Sequence, residues 1–311
     1  AHSVMRPRVA VLVPAHNEAA VIATTLETLR TQLLPGDRLL VVADNCSDDT
    51  AGIARAVGAE VVDRTDAVRR GKGYALDFGV RHLERDPPEA LVIVDADCRV
   101  EAGAIDGLAR FCLETGRPVQ ALDLMQAPEG AGLMQRLAEF AWIVKNHVRP
   151  LGFLRLGLPC QLMGTGMAFP WPMAATMQLA NANIVEDMKL GIDLALEGHP
   201  PLFCPEARVT SEFPAGEGAA KSQRTRWEHG HLGMILQEVP GLLGRAVVRH
   251  DARALGLALD LAVPPLALLA MMLTGTWGLA WAGTWLGMAA WPLLLASLSL
   301  GLVALAVLLA W

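Results

Sequence analysis

An α/β fold, built as a parallel sheet covered by helices and followed by two apolar helices, is what three features of this 311-residue sequence predict. Short β-branched runs alternate with helical patterns through the first hundred residues, which is how a βαβ sheet reads. Acidic and basic residues fall just after the predicted strands, where ligands bind in such sheets. The mean hydropathy of +0.35 is high for a wholly soluble chain, and the excess is concentrated beyond residue 253.

Residues 8–13 read as the first strand, which stops at Pro14; Val21, Ile22, Thr25, Leu26, Leu29 and Leu33 then recur at helical spacing. Residues 39–43 read as the second strand. The polar turn 44–49 follows, with Ser47 or Asp48 placed to cap a helix running to Val57. Residues 60–63 form a short third strand, Gly71-Lys72-Gly73 opens a helix through Phe78, and residues 91–94 form a fourth strand ending in Asp95-Ala96-Asp97. Residues 130–149 read as one amphipathic helix, with Leu133, Leu137, Phe140, Ala141 and Val144 on one side. That face suits either a membrane interface or the protein core. Residues 214–218 read as a loop.

Residues 254–282 and 284–311 contain one ionisable residue between them, Asp260, and each stretch exceeds the roughly 20 apolar residues that cross a bilayer. Asp260 lies near the start of the first stretch, where a charge costs less than the ~2.5–3.5 kcal/mol of the helix centre. Buried core helices would be shorter. The chain therefore divides into a domain of residues 1–253 and two transmembrane helices in residues 254–311. Arg245, Arg249 and Arg253 precede the first span, which by the positive-inside tendency places the domain in the cytoplasm on a multi-pass inner (plasma) membrane protein. Cys46, Cys98, Cys112, Cys160 and Cys204 are odd in number and scattered, with no CxxC pair for zinc or a disulfide framework. A net charge of -6 gives no electrostatic reason for a nucleic-acid partner. No secretory signal is visible at the start. The sequence ends within apolar residues at Trp311, so further sequence or an upstream span is expected.

Asp95 and Asp97 stand two apart at a strand end, so both carboxylates point the same way if extended geometry persists. A divalent cation relieves the repulsion between them and neutralises a diphosphate; Mg²⁺ or Mn²⁺ suits such hard oxygen donors. By itself the pair equally describes a solvated turn. Asp44 offers a carboxylate for a base or ribose, and Lys72 an ammonium for phosphate, although either alone is more often a loop charge. Glu186-Asp187 opens a helical pattern and either complements the helix dipole or supplies a general base. In the run 223–227, Gln223-Arg224-Thr225-Arg226-Trp227, guanidinium groups suit a pyrophosphate and the indole suits a sugar face; the alternative is a basic helix with Trp227 packed inward.

Taken in order, Pro14-Ala15-His16-Asn17-Glu18, Asp44, Gly71-Lys72-Gly73, Asp95-Ala96-Asp97, Glu186-Asp187 and Gln223-x-x-Arg226-Trp227 strongly resemble the inverting family 2 glycosyltransferases. The likeness spans about residues 8–230 and is nearest the membrane branch of cellulose, chitin and hyaluronan synthases and ceramide glucosyltransferases. The resemblance implies a GT-A, Rossmann-like domain binding a nucleotide sugar, a UDP-sugar favoured, with a lipid or glycan acceptor at the membrane. It implies that Pro14, Glu18, Asp44, Lys72 and Asp95 bind the donor and that Asp95 and Asp97 hold the metal. Asp187 matches the catalytic base, with Glu186 beside it; Gln223 and Arg226 match donor residues, and Trp227 an acceptor residue. Met163-Gly164-Thr165-Gly166 resembles the loop that cradles the acceptor, so Gly164 and Thr165 are expected there. The neighbouring Cys160-Gln161-Leu162 lacks the aromatic residues of some polymer synthases, so no processivity is implied.

Other classes fit less well. A haloacid-type phosphatase puts its DxD on the first strand with Thr or Val two residues on, where this chain has Arg99. A Rossmann oxidoreductase needs GxGxxG where Pro14 to Glu18 stand. A non-catalytic membrane binding protein on a transferase scaffold would not need every acidic position.

Overall fold

The computed structural model describes residues 6–180, 185–213 and 217–310. Its first half alternates as the pattern predicts: β1 (Val9–Ala15), α1 (Ile22–Arg30), β2 (Arg38–Asp44), α2 (Thr50–Val57), β3 (Glu60–Arg64), α3 (Lys72–Leu83) and β4 (Ala90–Ile93). The strands lie parallel in the order β3-β2-β1-β4. Alternation of side chains along β1 sends Val9, Val11 and Val13 into the layer under α1 and Ala10 and Leu12 into the layer under α3. Burial on both faces is why this strand reads as an unbroken apolar run. Each fully buried aliphatic side chain contributes on the order of 1.5–3 kcal/mol.

Beyond β4 the sheet stops being parallel. β5 (Arg99–Val100), α4 (Ala104–Thr115) and β6 (Val119–Gln126) are followed by α5 (Leu133–Ile143), a π-helical turn (Val144–Val148), α6 (Arg149–Arg155), β7 (Met167–Pro170) and α7 (Trp171–Ala174). After α8 (Glu186–Leu196) and β8 (Leu202–Glu212) the eight strands stand in the order β3-β2-β1-β4-β7-β6-β8-β5. β7 runs antiparallel to both β4 and β6, β5 antiparallel to β8, and β6 parallel to β8. The predicted parallel sheet therefore holds for the first four strands and becomes mixed after them.

Three expected boundaries are corrected. β1 continues through Pro14 to Ala15, because β4 has already ended opposite Leu12 and the missing proline N–H costs no hydrogen bond on that side. The amphipathic helix expected over 130–149 is divided by the π-helical turn, where Asn146 is drawn inward to Asp123. The apolar stretch expected to begin its span at Ala254 is two helices, α10 (Ala252–Leu261) and α11 (Leu266–Trp285), parted at Pro264-Pro265. Asp260 sits within α10, buried against Arg149 and Gln161, so its charge is met by protein groups.

The long helix α9 (Glu217–Arg249) packs along α10, and both lean on α8 through Met188, Ile192, Met234, Leu257 and Leu261. α11 and α12 (Trp291–Ala310) then form a hairpin of two 20-residue helices with almost no surface buried. Each is about 30 Å long, the thickness of a hydrocarbon core. Trp277 donates from Nε1 to Ser297 Oγ across the hairpin at 3.0 Å. All five cysteines are free thiols. Ile184 at the head of the expected α8 segment, residues 214–216 of the expected loop, the side chain of Arg224, and Trp311 lie outside the described residues.

Gly166, at φ +64, turns the chain into β7 so closely that a Cβ would lie 2.7 Å from Ala121 Cβ and 2.9 Å from Val209 Cγ2. Gly166→Ala should therefore destabilise the domain by about 1–3 kcal/mol, read as a lowered thermal midpoint; an unchanged midpoint would show that β6 and β8 can part there.

Candidate active site

The carboxyl ends of β1, β2 and β4 open onto one cleft, closed on its far side by the 163–166 loop and the start of α8. Asp95 and Asp97 follow β4, but in a turn, with Cys98 N–H donating to Asp95 O at 3.3 Å. Extended geometry does not persist, so the turn itself brings the carboxylates together. Asp95 is half-buried and ion-paired with Lys72 Nζ, whereas Asp97 opens to solvent. Lys72 also donates to Gly164 O at 2.9 Å, tying the first turn of α3 to the 163–166 loop. Burial alone would lower the Lys72 pKa, but Asp95, Glu186 and Asp187 override it and hold the ammonium above its ordinary value.

Gly164, at φ +94, lets α8 approach: its absent Cβ would stand 3.1 Å from Asp187 Oδ2 and 3.4 Å from Lys72 Nζ. Thr165 Oγ1 accepts from Asp95 N–H at 3.1 Å. Gln120, wholly buried in β6, secures the loop by donating to Thr165 O at 2.8 Å and accepting from Met163 N–H at 2.8 Å. Lys72, Asp95, Gly164, Thr165, Glu186 and Asp187 therefore share one cluster. Burial raises the Asp187 carboxyl above its usual range, Lys72 opposing; Glu186 is raised likewise, by burial first and then by Asp187.

Glu18 faces the same cleft from the turn after Pro14, anchored by its N–H on Thr50 Oγ1 at 2.8 Å. Desolvation, with the charges of Asp97 and Asp95, pushes its carboxyl up to about 7. Asp44 is buried at the end of β2, accepting from Arg64 Nη1 at 2.5 Å and Asn45 Nδ2 at 3.0 Å. It lies nearer the β1–β2 edge than the Lys72 cluster.

On α9, Gln223 is half-buried and Arg226 exposed, with no described contact to the cluster. Trp227 is drawn to the site indirectly. Its ring lies tilted on Trp142, centroids 5.2 Å apart, and one turn later Gly230 lets α9 press on Val185, the residue before Glu186.

Several participants carried no sequence motif: Gln120, Arg64, Trp142, Lys145, and the Asp123–Asn146 pair, in which Asn146 Nδ2 donates to Asp123 Oδ2 at 3.0 Å. A polar residue within an apolar strand, as at Gln120 and Asp123, was the available signal. Among the described residues no group of three or more His, Cys, Asp or Glu side chains encloses an ion position. A cation held by Asp95 and Asp97 would take its other ligands from a diphosphate and water, as Mg²⁺ and Mn²⁺ do.

Residues 7–230 match the family described as glycosyltransferase like family 2, and the chain belongs to that family. Its architecture is the GT-A type, Rossmann-like with a mixed sheet. It is similar to a probable glycosyltransferase, YdaM, of Bacillus subtilis, at 28% identity over 256 residues, 74% of this chain and 57% of that protein. It is also similar to glucomannan 4-beta-mannosyltransferase 7 of Arabidopsis thaliana, at 25% identity over 251 residues, 74% of this chain and 43% of that one. The chain thus spans about half the length of these curated relatives. Among solved structures, the mannosyltransferase PcManGT of Pyrobaculum calidifontis, in complex with GDP-Man and Mn²⁺, superposes with a TM-score of 0.55 at 20% identity, over 95% of this chain and 87% of that one, a likeness of fold.

Asp123 is buried beside this cleft, and desolvation, opposed by Lys145, raises its pKa from 3.8 to about 7. The folded carboxyl keeps its proton where the unfolded chain has lost it, so its contribution to stability falls as pH rises through that interval. Asp123→Asn should make the decline in thermal midpoint between about pH 4 and 7 shallower than in the parent; an equal or steeper decline would assign the effect to other carboxyls.

Proposed function

We propose that this chain is an inverting, membrane-bound glycosyltransferase that moves a sugar from a nucleotide sugar, a UDP-sugar favoured, to a lipid or glycan acceptor in cell-surface polysaccharide or glycolipid synthesis. The observation that carries the reading is the convergence on Gly164: the Asp187 carboxylate, the Lys72 ammonium and, through Lys72, Asp95 meet in one cleft at the sheet's carboxyl edge. A base, a phosphate-binding cation and a cation-binding carboxylate are the three groups that a single displacement at a sugar carbon requires.

Asp95 and Asp97 hold Mg²⁺ or Mn²⁺ in this reading, and the donor set fits. Burial, and after it the neighbouring Asp95 and Asp97 carboxylates, raise Glu18, and burial and Asp95 raise Asp97, so a cation placed here would meet closely spaced carboxylates. When bound, the ion neutralises charge on the leaving diphosphate. Pro14, Glu18 and Asp44 line the nucleoside side, Lys72 and Arg226 meet the phosphates, and Gln223 and Trp227 close over donor and acceptor. Gly164 and Thr165 floor the acceptor position. Asp187 takes the proton of the acceptor hydroxyl as that oxygen bonds to the anomeric carbon; the bond to the diphosphate breaks and its electron pair leaves with the nucleotide. The elevated pKa of Asp187 makes it a better proton acceptor than an ordinary aspartate. Glu186 stands next to it.

The hairpin α11–α12 spans the membrane in this proposal, supported by length, apolarity and exposed flanks. The chain then resembles the cellulose, chitin and hyaluronan synthase and ceramide glucosyltransferase branch. Arg245, Arg249 and Arg253 favour a cytoplasmic domain, on the inner-membrane side where nucleotide sugars are made.

Purified full-length chain, supplied with UDP- and GDP-sugars and membrane lipid, should release nucleotide only with Mg²⁺ or Mn²⁺, and Asp97→Ala or excess chelator should lower release by about 10²-fold or more. Full turnover in chelator would end the metal role. Asp187→Asn should retain donor affinity yet lose about 10²–10⁴-fold in transfer, since an amide accepts no proton; turnover near that of the parent would move the base elsewhere, Glu186 first.

A further inference from the structure

Asp44 ends β2 opposite Arg64, its register partner at the end of β3. The carboxylate is loaded on one side only. Oδ1 accepts from Arg64 Nη1 at 2.5 Å and from Asn45 Nδ2 at 3.0 Å, which fills the two lone-pair positions of that oxygen. Among the described residues none donates to Oδ2, and the side chain keeps 9% of its surface exposed. A guanidinium whose only task were to neutralise a carboxylate would commonly meet it fork to fork, with two parallel hydrogen bonds. Here one nitrogen reaches one oxygen, and the second oxygen is left over.

Both donors on Oδ1 are themselves fixed. Arg64 Nη2 donates to Arg69 O at 2.7 Å and pairs with Asp66, while the guanidinium lies 5.7 Å from the centroid of the Tyr74 ring. Asn45 sits at φ +52, a left-handed conformation that asparagine tolerates. Its N–H donates to Arg64 O at 2.7 Å, and its side-chain oxygen accepts from Asp66 N–H at 2.9 Å, which turns Nδ2 towards Asp44. Arg64 therefore cannot release Oδ1 without breaking its bonds to the 66–69 loop.

Resting on the transferase reading, in which Asp44 meets the nucleoside, we propose that Arg64 determines specificity for uracil over guanine by holding Oδ1 of Asp44 and leaving Oδ2 as a single acceptor. The pairing edge of uracil carries one N–H between two carbonyls. A single acceptor serves that N–H, and one flanking carbonyl takes the second hydrogen of Asn45 Nδ2. Guanine instead presents its ring N–H and its 2-amino group side by side, a pair that a carboxylate accepts with both oxygens. With Oδ1 filled, one of those two donors is left without a partner on binding, and unpaired polar groups are what a selective site penalises. Adenine and cytosine turn a ring-nitrogen lone pair towards Oδ2 and are repelled. Arg64 acts through Asp44 and is a positioning residue.

Equilibrium binding by calorimetry on the full chain in detergent, with UDP, GDP and inosine diphosphate as probes and Mg²⁺ equal in every arm, tests this. UDP should bind about tenfold or more tighter than GDP, roughly 1.4 kcal/mol or more. Inosine diphosphate, which is GDP without the 2-amino group, should bind at least as tightly as GDP. Arg64→Met reopens one lone pair of Oδ1, so the lead of UDP over GDP should fall to about threefold or less, and GDP should overtake inosine diphosphate by about threefold or more. Arg64→Lys, which still donates to Oδ1, should keep the order of the parent. If Arg64→Met does not melt cooperatively, Asn45→Gly, which suits φ +52 and spares the ion pair, should move both ratios in the same directions. Equal binding of UDP and GDP by the parent would overturn the proposal, as would a parent that binds GDP tighter than inosine diphosphate. Equal weakening of all three probes in a folded Arg64→Met chain would leave Arg64 a structural partner of Asp44 and likewise overturn it. The expected preference in a chain that turns over no nucleotide sugar would sink the transferase reading alone, and turnover with no preference for UDP would sink this inference alone.

Discussion

Negative charge gathered at one edge of the sheet is the constraint around which this molecule is arranged. Glu18, Asp95, Asp97, Asp123, Glu186 and Asp187 come from four separate segments, and their mutual repulsion and desolvation oppose folding. Lys72 meets that repulsion directly. By pairing with Asp95 and donating to Gly164 O, it joins the end of the parallel half-sheet to the loop that leads into β7. Burial first, and neighbouring carboxylates after it, raise the pKa values of Glu18, Asp123, Glu186 and Asp187. Carboxylates packed this closely are where a cation or a proton would be most stabilised.

The scaffold around the cleft trades regularity for approach. Glycine at 164 and 166 lets a backbone loop pass under α8 and against β6 and β8 where any side chain would collide, and Gln120 supplies the hydrogen bonds the irregular loop lacks. On the opposite wall the π-helical turn serves the same end, redirecting Lys145 and sinking Asn146. The first of these devices brings the loop to Asp187, and the second buries the amide of Asn146 against Asp123.

Coupling to the apolar hairpin follows from α9 and α10. Trp227 and Gly230 share a face of α9 that touches Trp142 and Val185, and α10 is fastened to α6 by the Asp260–Arg149 pair and to the 160–162 segment by Gln161. The buried Asp260 thus belongs to the join between the domain and its apolar helices. Removing one partner of such a pair leaves a buried charge without compensation, so the attachment of α10 depends on Arg149 and Gln161.

Local pattern in the sequence was sufficient for β1 to β4, for the helix opened by Glu186-Asp187, and for the order of motifs that marks a family 2 glycosyltransferase, because periodicity, strand-end polarity and apolar length are properties of neighbouring residues. It was also sufficient to name Asp95, Lys72, Gly164, Thr165 and Asp187, which the fold brings together. Tertiary structure alone decided the rest. The break of the apolar stretch at Pro264-Pro265, the mixed half of the sheet and the retreat of Asp260 into the domain depend on what each segment packs against. Gln120, Trp142 and Lys145 became visible only with the fold, since their partners lie dozens of residues away and a π-helical turn has no sequence period of its own. Chemistry that rests on a motif is written locally; chemistry that rests on a wall of side chains from α5, α8 and α9 exists only once those helices meet.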